Sequence, residues 1–248
     1  MGLAVRPTQM ALAPAVRAEG CTREEHLDRI YAIVGLDGAG KTAVAREVAN
    51  HLARRGRRTS VVWLRNPRLF SLGIQAIFRS AGISRTVRLG GHEDVITDLR
   101  RHPFLFHLLA WSMTFDYVFG YLQKAAFRRI ALRRTIICDR FVWDLIVDLS
   151  ISSGLGERFL ETPEGRILLD LGLRHRTVLL VASLATLTER KPILTLDPDL
   201  NERIRLYDSL ATRFGWGTVT SDAVPLAVTT AATLEWMGVP PDGSEGAR

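Results

Sequence analysis

The sequence predicts an α/β protein in which helices cover both faces of a mostly parallel, five-stranded sheet, in three α/β/α layers. Short apolar runs alternate along the chain with longer segments whose apolar residues recur every three or four positions. Strands that are apolar throughout are typical of a parallel sheet covered on both faces. With 248 residues, 47% of them hydrophobic, the chain is long enough for one such domain.

Five runs have the length and the β-branched content of buried strands, at residues 30–34, 60–64, 135–138, 177–183 and 217–221. Apolar spacing predicts helices at residues 41–56, 69–78, 95–127 with a break near Pro103, 200–214 with a cap at Asp197 or Asp199, and 226–237. We expect the domain to span residues 28–238, after a disordered leader at 1–27 and before a flexible tail at 239–248.

The overall charge is strongly positive, with a net charge of +7 and a pI of about 10.1. The arginines are spread along the chain rather than clustered with aromatic residues, which favours a small anionic ligand over nucleic acid. The two cysteines show no disulfide framework or zinc-ligand spacing, so we expect a cytoplasmic protein. The longest apolar run, at residues 103–115, is too short to cross a membrane.

The first functional motif is the stretch Gly35-Leu-Asp-Gly-Ala-Gly-Lys-Thr42, which fits the pattern G-x-x-x-x-G-K-[ST] between a strand and a helix. Glycines allow successive amides to point toward a phosphate, and the helix dipole adds to that attraction. The motif and its position therefore predict a P-loop NTPase fold that binds ATP and Mg²⁺. The alternative, a glycine turn that binds no ligand, does not account for the strand and the helix on either side. The predicted nucleotide-binding residues are Gly35, Asp37, Gly38, Ala39, Gly40, Lys41 and Thr42, with Lys41 at the phosphates and Thr42 at the metal.

The second motif is Asp139-Arg140, at the end of the third predicted strand. Ligands of open α/β sheets bind outside the carboxyl ends of the strands, so Asp139 is a candidate metal ligand there. Arg140 can stabilise charge on a transferring phosphoryl group. A salt bridge at the strand end is the alternative.

The third element is a pair of cations, Arg190 and Lys191, followed by the segment Pro-Ile-Leu-Thr-Leu-Asp-Pro-Asp. Such a segment can close over bound ATP and exclude water from the transferred phosphoryl group. The alternative is a solvated helix end.

The phosphate loop GLDGAGKT together with ICDRF about a hundred residues later resembles the thymidylate kinase family of P-loop kinases, over residues 28–238. The resemblance implies a five-stranded parallel sheet, a mobile lid and a homodimer. It also implies transfer of the γ phosphate of ATP to thymidine monophosphate, with magnesium.

By the same resemblance, Asp37 is expected to contact the sugar of the acceptor, and Asp139 and Arg140 to lie at the acceptor phosphate and the metal. Gly38 stands where some family members carry a catalytic arginine. Members without that residue use lid arginines, which implies a catalytic role for Arg190 and lesser roles for Lys191 and Arg203.

Two departures from the family pattern concern the acceptor. Arg65-Asn66-Pro67 stands where many members carry Arg-Glu-Pro, and Tyr117 follows Asp116 where an arginine for the acceptor phosphate is expected. We still expect Arg65 and Tyr117, with Asp37 and Arg140, to bind the substrate; Trp111 or Phe115 are alternatives for stacking on the base. A kinase of a nucleoside or another small metabolite therefore stays open, as does a nucleotide-binding switch or scaffold.

Overall fold

The structure is a computed structural model that describes residues 30–64, 70–80, 82, 84–89, 92–97, 99–100 and 102–239. The expected leader at 1–27 lies outside these residues, as does the expected tail beyond residue 239.

A five-stranded sheet forms the centre of the molecule. The strands, in chain order, are β1 (Ile30–Val34), β2 (Thr59–Trp63), β3 (Ser84–Leu89), β4 (His92–Thr97), β5 (Thr135–Asp139), β6 (Arg176–Val181) and β7 (Gly217–Thr220). Five of them pair in the spatial order β2-β5-β1-β6-β7, and every pairing in this sheet is parallel. The predicted α/β class and the predicted sheet are therefore confirmed.

The helices are α1 (Lys41–Arg54), α2 (Phe70–Ser80), α3 (Pro103–Tyr121), α4 (Phe127–Leu132), α5 (Val142–Ser153), α6 (Pro163–Leu173), α7 (Leu184–Arg190), α8 (Leu200–Phe214) and α9 (Leu226–Trp236). A π-helical turn, Leu122–Ala126, joins α3 to α4, and 3₁₀ turns lie at Gly156–Glu161 and Pro192–Leu196. In the described part of the chain, none of these helices is long and apolar enough to cross a membrane.

The three layers follow from the alternation of side chains along the central strand β1. Ile30, Ala32 and Val34 face a core shared with α3, α5 and α8, whereas Tyr31 and Ile33 face a core shared with α1 and α9. Because successive side chains of a strand point to opposite faces, a strand that is apolar at every position requires cover on both sides.

The helix predicted from residue 95 is wrong at its start. Residues 92–97 form β4, which pairs antiparallel with β3, and Leu89 lies opposite His92. The intervening sequence is Gly90-Gly91, a dipeptide typical of two-residue hairpin loops. Helix α3 begins later, with Pro103 at its first turn, where a missing amide hydrogen costs nothing.

Candidate active site

The loop between β1 and α1 folds tightly because of its glycines. Gly35 has a φ of +135°, and a Cβ atom at this position would lie 2.4 Å from the carbonyl oxygen of Leu180. Gly40 precedes α1 in the left-handed conformation, and within the described chain α1 has neither a side-chain cap nor an acidic residue in its first turn. Its first amides are therefore suited to an anion such as phosphate.

Lys41, the first residue of α1, lies inside this loop and is only 5% exposed. Its Nζ donates hydrogen bonds of 2.7 Å to the carbonyl oxygens of Gly35 and Leu36, and lies 3.7 Å from the Asp37 carboxylate. Burial lowers the pKa of Lys41 from 10.5 to about 8, although nearby carboxylates oppose that shift. A cation is thus held in the loop by backbone carbonyl oxygens.

Thr42 and Asp139 meet where α1 begins and β5 ends. Thr42 Oγ1 donates a 2.6 Å hydrogen bond to Asp139 Oδ2, and Asp139 is 4% exposed. Its other oxygen, Oδ1, is buried and has no hydrogen-bond partner among the described residues. The pairing of Ile33 with Asp139 sets β5 beside β1, which brings the carboxylate next to the loop.

This pair of oxygen groups fits magnesium. Mg²⁺ prefers oxygen ligands and usually takes one or two from the protein, with substrate phosphates and water supplying the others. In the part of the chain that the structure describes, no group of three or more His, Cys, Asp or Glu side chains could hold a metal ion. The unpartnered Oδ1 of Asp139 and the hydroxyl of Thr42 therefore suit a metal that arrives with a nucleotide.

Asp37 connects three segments of the site. Its Oδ1 accepts a hydrogen bond from Arg140 Nη2, and its Oδ2 accepts one from Lys191 Nζ. Arg140 has a φ of +69°, and its amide donates to the carbonyl oxygen of Ile33 at 3.1 Å. Burial alone would lower the pKa of Arg140, but the charge and the hydrogen bond of Asp37 raise it above its ordinary value. One carboxylate thus joins the phosphate loop, the end of β5 and the segment after α7.

Arg190, the last residue of α7, lies against the back of the phosphate loop. Its Nη1 donates to the carbonyl oxygen of Gly38 at 3.3 Å and to the hydroxyl of Ser221 at 3.4 Å. Its Nη2 donates to the carbonyl oxygen of Ser221 at 3.1 Å. The structure therefore places Arg190 beside the loop, with its guanidinium bound to backbone oxygens and to the Ser221 hydroxyl.

Arg203 on α8 lies at the far end of the segment predicted to form a lid. Its guanidinium donates to Asp148 on α5, and its Nε donates to Asp197 at 2.9 Å. Burial opposes the charge of Arg203, but the two carboxylates raise its pKa above the ordinary value. Because both acceptors are carboxylates, Arg203 ties the end of the lid segment to α5 in this structure.

Asp144 holds the turn that follows Arg140. Its Oδ2 accepts a 2.8 Å hydrogen bond from the amide of Phe141, and its Oδ1 accepts one of 2.9 Å from the hydroxyl of Tyr207. Burial raises the pKa of Asp144, although Lys41 and the hydrogen bonds oppose the shift. Asp144 is therefore buried and caps the start of α5.

The residues near the expected acceptor site differ most from what the sequence predicts. Tyr117 is fully buried, packs against Phe141, and its hydroxyl has no partner among the described residues. Asp116 accepts hydrogen bonds from the amides of Phe70 and Ser71, at 2.8 and 2.9 Å, at the start of α2. In this structure Tyr117 is therefore not positioned to stack on a base, whereas its neighbour Phe115 is exposed. Arg65 lies outside the described residues.

These elements give the chain a P-loop NTPase fold, with a glycine-rich loop after β1 and a carboxylate-arginine pair at the end of β5. Among solved structures, the crystal structure of thymidylate kinase from Ehrlichia chaffeensis is similar, with a TM-score of 0.54 and 10% sequence identity. The match covers 86% of this chain and 99% of that chain, and at this identity it extends to the fold alone. No protein-family model and no curated protein matches the sequence.

Proposed function

We propose that this protein is a kinase that uses ATP and Mg²⁺ to phosphorylate a nucleoside monophosphate, with thymidine monophosphate as the expected acceptor. The observation that supports it best is the convergence of Lys41, Thr42, Asp139 and Arg140 at the carboxyl ends of β1 and β5. Ligands of open α/β sheets bind at such strand ends. Phosphoryl transfer depends mainly on positioning and on stabilising charge, which these groups are suited to provide.

Each group has a distinct role in this proposal. Lys41 and the first amides of α1 bind the phosphates of ATP, and Thr42 and Asp139 hold the metal. Bound Mg²⁺ would neutralise charge on the phosphates. Arg140 and Arg190 stabilise the charge of the transferring group. No covalent enzyme intermediate is needed, because the acceptor attacks the phosphoryl group directly.

Substrates must compete with contacts that the protein makes to itself. Lys41 donates to two loop carbonyls, and Asp37 accepts from both Arg140 and Lys191. Phosphate oxygens carry more negative charge than carbonyl oxygens, so bound ATP attracts Lys41 away from the carbonyls. As Arg140 and Lys191 turn toward phosphates, the carboxylate of Asp37 becomes available to a sugar hydroxyl of the acceptor.

A second candidate is a kinase of the same fold whose acceptor carries no phosphate, such as a nucleoside or another small metabolite. The observation that favours it is the composition of α3, which contains no arginine or lysine from Pro103 to Tyr121. A phosphorylated acceptor normally requires a charge-assisted partner at this side, and losing one costs about 1.5–3 kcal/mol.

The two candidates are separated by ATP turnover with Mg²⁺ against a panel of nucleoside monophosphates and nucleosides, with Lys41→Ala as control. Rapid ADP formation with thymidine monophosphate supports the first candidate, and turnover only with an unphosphorylated acceptor supports the second. ATP binding without stimulation by any acceptor contradicts both, and leaves a nucleotide-binding switch or scaffold.

We also propose that the protein forms a homodimer through one face of α3 and α4. Large apolar side chains are exposed at regular intervals along these helices and the π turn between them: Phe104, Leu108, Phe115, Phe119, Leu122, Phe127 and Ile130. The first five fall on one side of a helix with 3.6 residues per turn. The π turn Leu122–Ala126 adds about one residue to the repeat, so the last two continue the same face.

The size of this face suits a second copy of the chain. Its end residues are strongly exposed, Phe104 at 78% and Ile130 at 74%. Large side chains contribute about 150–250 Å² each, so the exposed fractions of the seven residues amount to roughly 800 Å². Each partner of a standard interface buries about 800 Å². A long helix that packs against its own copy around a two-fold axis would cover this surface on both subunits.

A further inference from the structure

A cavity lies near the amino end of β6, at the opposite end of the strands from the phosphate loop. Its volume is about 320 Å³, which is near the lower end of the range for ligand sites. Arg176, one of its lining residues, is the first residue of β6 and lies opposite Tyr31, near the start of β1. The phosphate loop follows the other end of β1. Because a strand of five or six residues is about 17–20 Å long, the cavity is separate from the candidate active site.

Aromatic side chains form the walls of this cavity. Trp143 lies 4.6 Å from Trp216 and 5.4 Å from Phe214 between ring centroids. The indole nitrogens of Trp143 and Trp236 both donate to Thr177, at 3.0 and 3.2 Å. These bonds hold two of the rings in place. Trp216 is fixed through its backbone, because its amide donates to the carbonyl oxygen of Ala211 at 2.9 Å.

The cavity also carries positive charge. Arg174 and Arg176 line it, and across the described ranges neither guanidinium has a carboxylate partner. Nη1 of Arg176 donates to the carbonyl oxygen of Trp236, at 3.3 Å. Between the two arginines, burial and the charges of Arg129 and Arg174 lower the pKa of His175 to about 4. This ring is therefore neutral at pH 7, and the positive charge comes from the arginines.

We propose that this cavity, hereafter the tryptophan cavity, binds a small planar aromatic carboxylate. The flat ring would pack against the faces of Trp216 and Trp236, where aromatic contacts add to the burial of apolar area. The carboxylate would accept hydrogen bonds from Arg174 and Arg176, whose planar guanidinium groups match its geometry. The volume accommodates one ring system with an acidic group rather than a whole nucleotide.

Calorimetric titration of the full chain with 2-naphthoate tests this inference, with 2-naphthamide as the uncharged probe of the same shape. We expect the acid to bind and the amide to bind at least about tenfold more weakly, because the amide loses two charge-assisted hydrogen bonds. The double variant Arg174→Gln/Arg176→Gln should weaken binding of the acid by at least about tenfold. The matched control Arg57→Gln/Arg58→Gln, which removes two exposed arginines elsewhere, should leave it unchanged.

Several outcomes would overturn the inference. These are the absence of binding at millimolar probe, equal affinity for acid and amide, and equal weakening in the two double variants. The variant Lys41→Ala gives a further check. If it weakens binding of the acid as much as the Arg174/Arg176 double variant does, the acid binds at the phosphate loop. Circular dichroism confirms that each variant is folded. The outcome is independent of the proposed kinase activity, because the cavity and the phosphate loop lie at opposite ends of the strands.

Discussion

The hydroxyl of Thr42 and the carboxylate of Asp139 form a 2.6 Å hydrogen bond between the first turn of α1 and the end of β5. This bond satisfies Oδ2 of the carboxylate, while the buried Oδ1 has no partner among the described residues. A buried oxygen without a partner costs free energy. A magnesium ion beside these two residues would remove that cost, so the pair is the most direct place to test the proposed metal site.

Replacing Thr42 by valine should weaken the binding of magnesium at this site. Valine keeps the branched shape and removes the hydroxyl, whereas Thr42→Ser keeps the hydroxyl. We expect Thr42→Val to raise the Mg²⁺ concentration at half-maximal ATP turnover by about tenfold or more, since groups that bind or orient metal ligands typically contribute 10–100-fold. Thr42→Ser should stay close to the parent protein. An unchanged magnesium titration in Thr42→Val would contradict the assignment.

The stability of the protein should rise with pH because of Lys41. The folded state lowers the pKa of this group from 10.5 to about 8, so between these values the unfolded chain binds more protons than the folded one. The free energy of unfolding therefore increases as pH rises through this window. Below about pH 8 the buried Lys41 is charged, and the free-energy cost of burying that charge is present in full. By pH 10.5 the loss of the proton removes up to about 3 kcal/mol of this cost.

The variant Lys41→Met isolates this contribution, because it removes the titrating group and keeps much of its volume. Urea unfolding of both proteins at pH 7, 8.5 and 10 gives the difference in their free energies of unfolding. We expect that difference to shift in favour of the parent protein as pH rises. Two pH profiles that run parallel would show that Lys41 does not titrate in this window.

Local signals account for what could be predicted of the fold and the site. Strand β1 and helix α8 follow the apolar patterns within a residue or two, and the phosphate loop is one contiguous motif. The contacts of the charged side chains could not be predicted, because their partners are distant in sequence. Asp37 and Lys191 are separated by 154 positions, and Asp144 and Tyr207 by 63. Such pairs cannot be predicted from their spacing in the sequence, because their contact depends on the order of the strands in the sheet.

Arg203 should couple energetically to Asp148. The guanidinium is part-buried between Asp148 and Asp197, so removing it leaves two carboxylates without their cation. In a double-mutant cycle of Arg203→Met and Asp148→Asn, we expect a coupling energy of about 1 kcal/mol, because the pair is partly screened by solvent. Urea unfolding measures each variant. A coupling energy near zero would mean that the pair does not contribute to stability.

Loss of Arg190 should affect turnover more than stability. Its guanidinium is bound to backbone oxygens of the loop and of Ser221, where it can turn toward a nucleotide without leaving an unpaired carboxylate. We expect Arg190→Ala to lower kcat by about 100-fold, as does removal of one group that stabilises transition-state charge. The matched control is Arg205→Ala, which removes an exposed arginine from α8. Equal kcat values in the two variants would assign Arg190 a purely structural role.

The apolar face of α3 and α4 should determine the oligomeric state. We expect light scattering after size exclusion to give twice the monomer mass for the parent protein, and the monomer mass for Ile130→Asp. An unpaired carboxylate buried in an interface costs about 3 kcal/mol, and two symmetric copies of that charge would weaken dimerisation by at least about 100-fold. Val228→Asp changes an exposed apolar residue on α9, away from this face, and should remain dimeric. A monomeric parent protein, or a dimer that Ile130→Asp leaves intact, would show that this face does not join two copies.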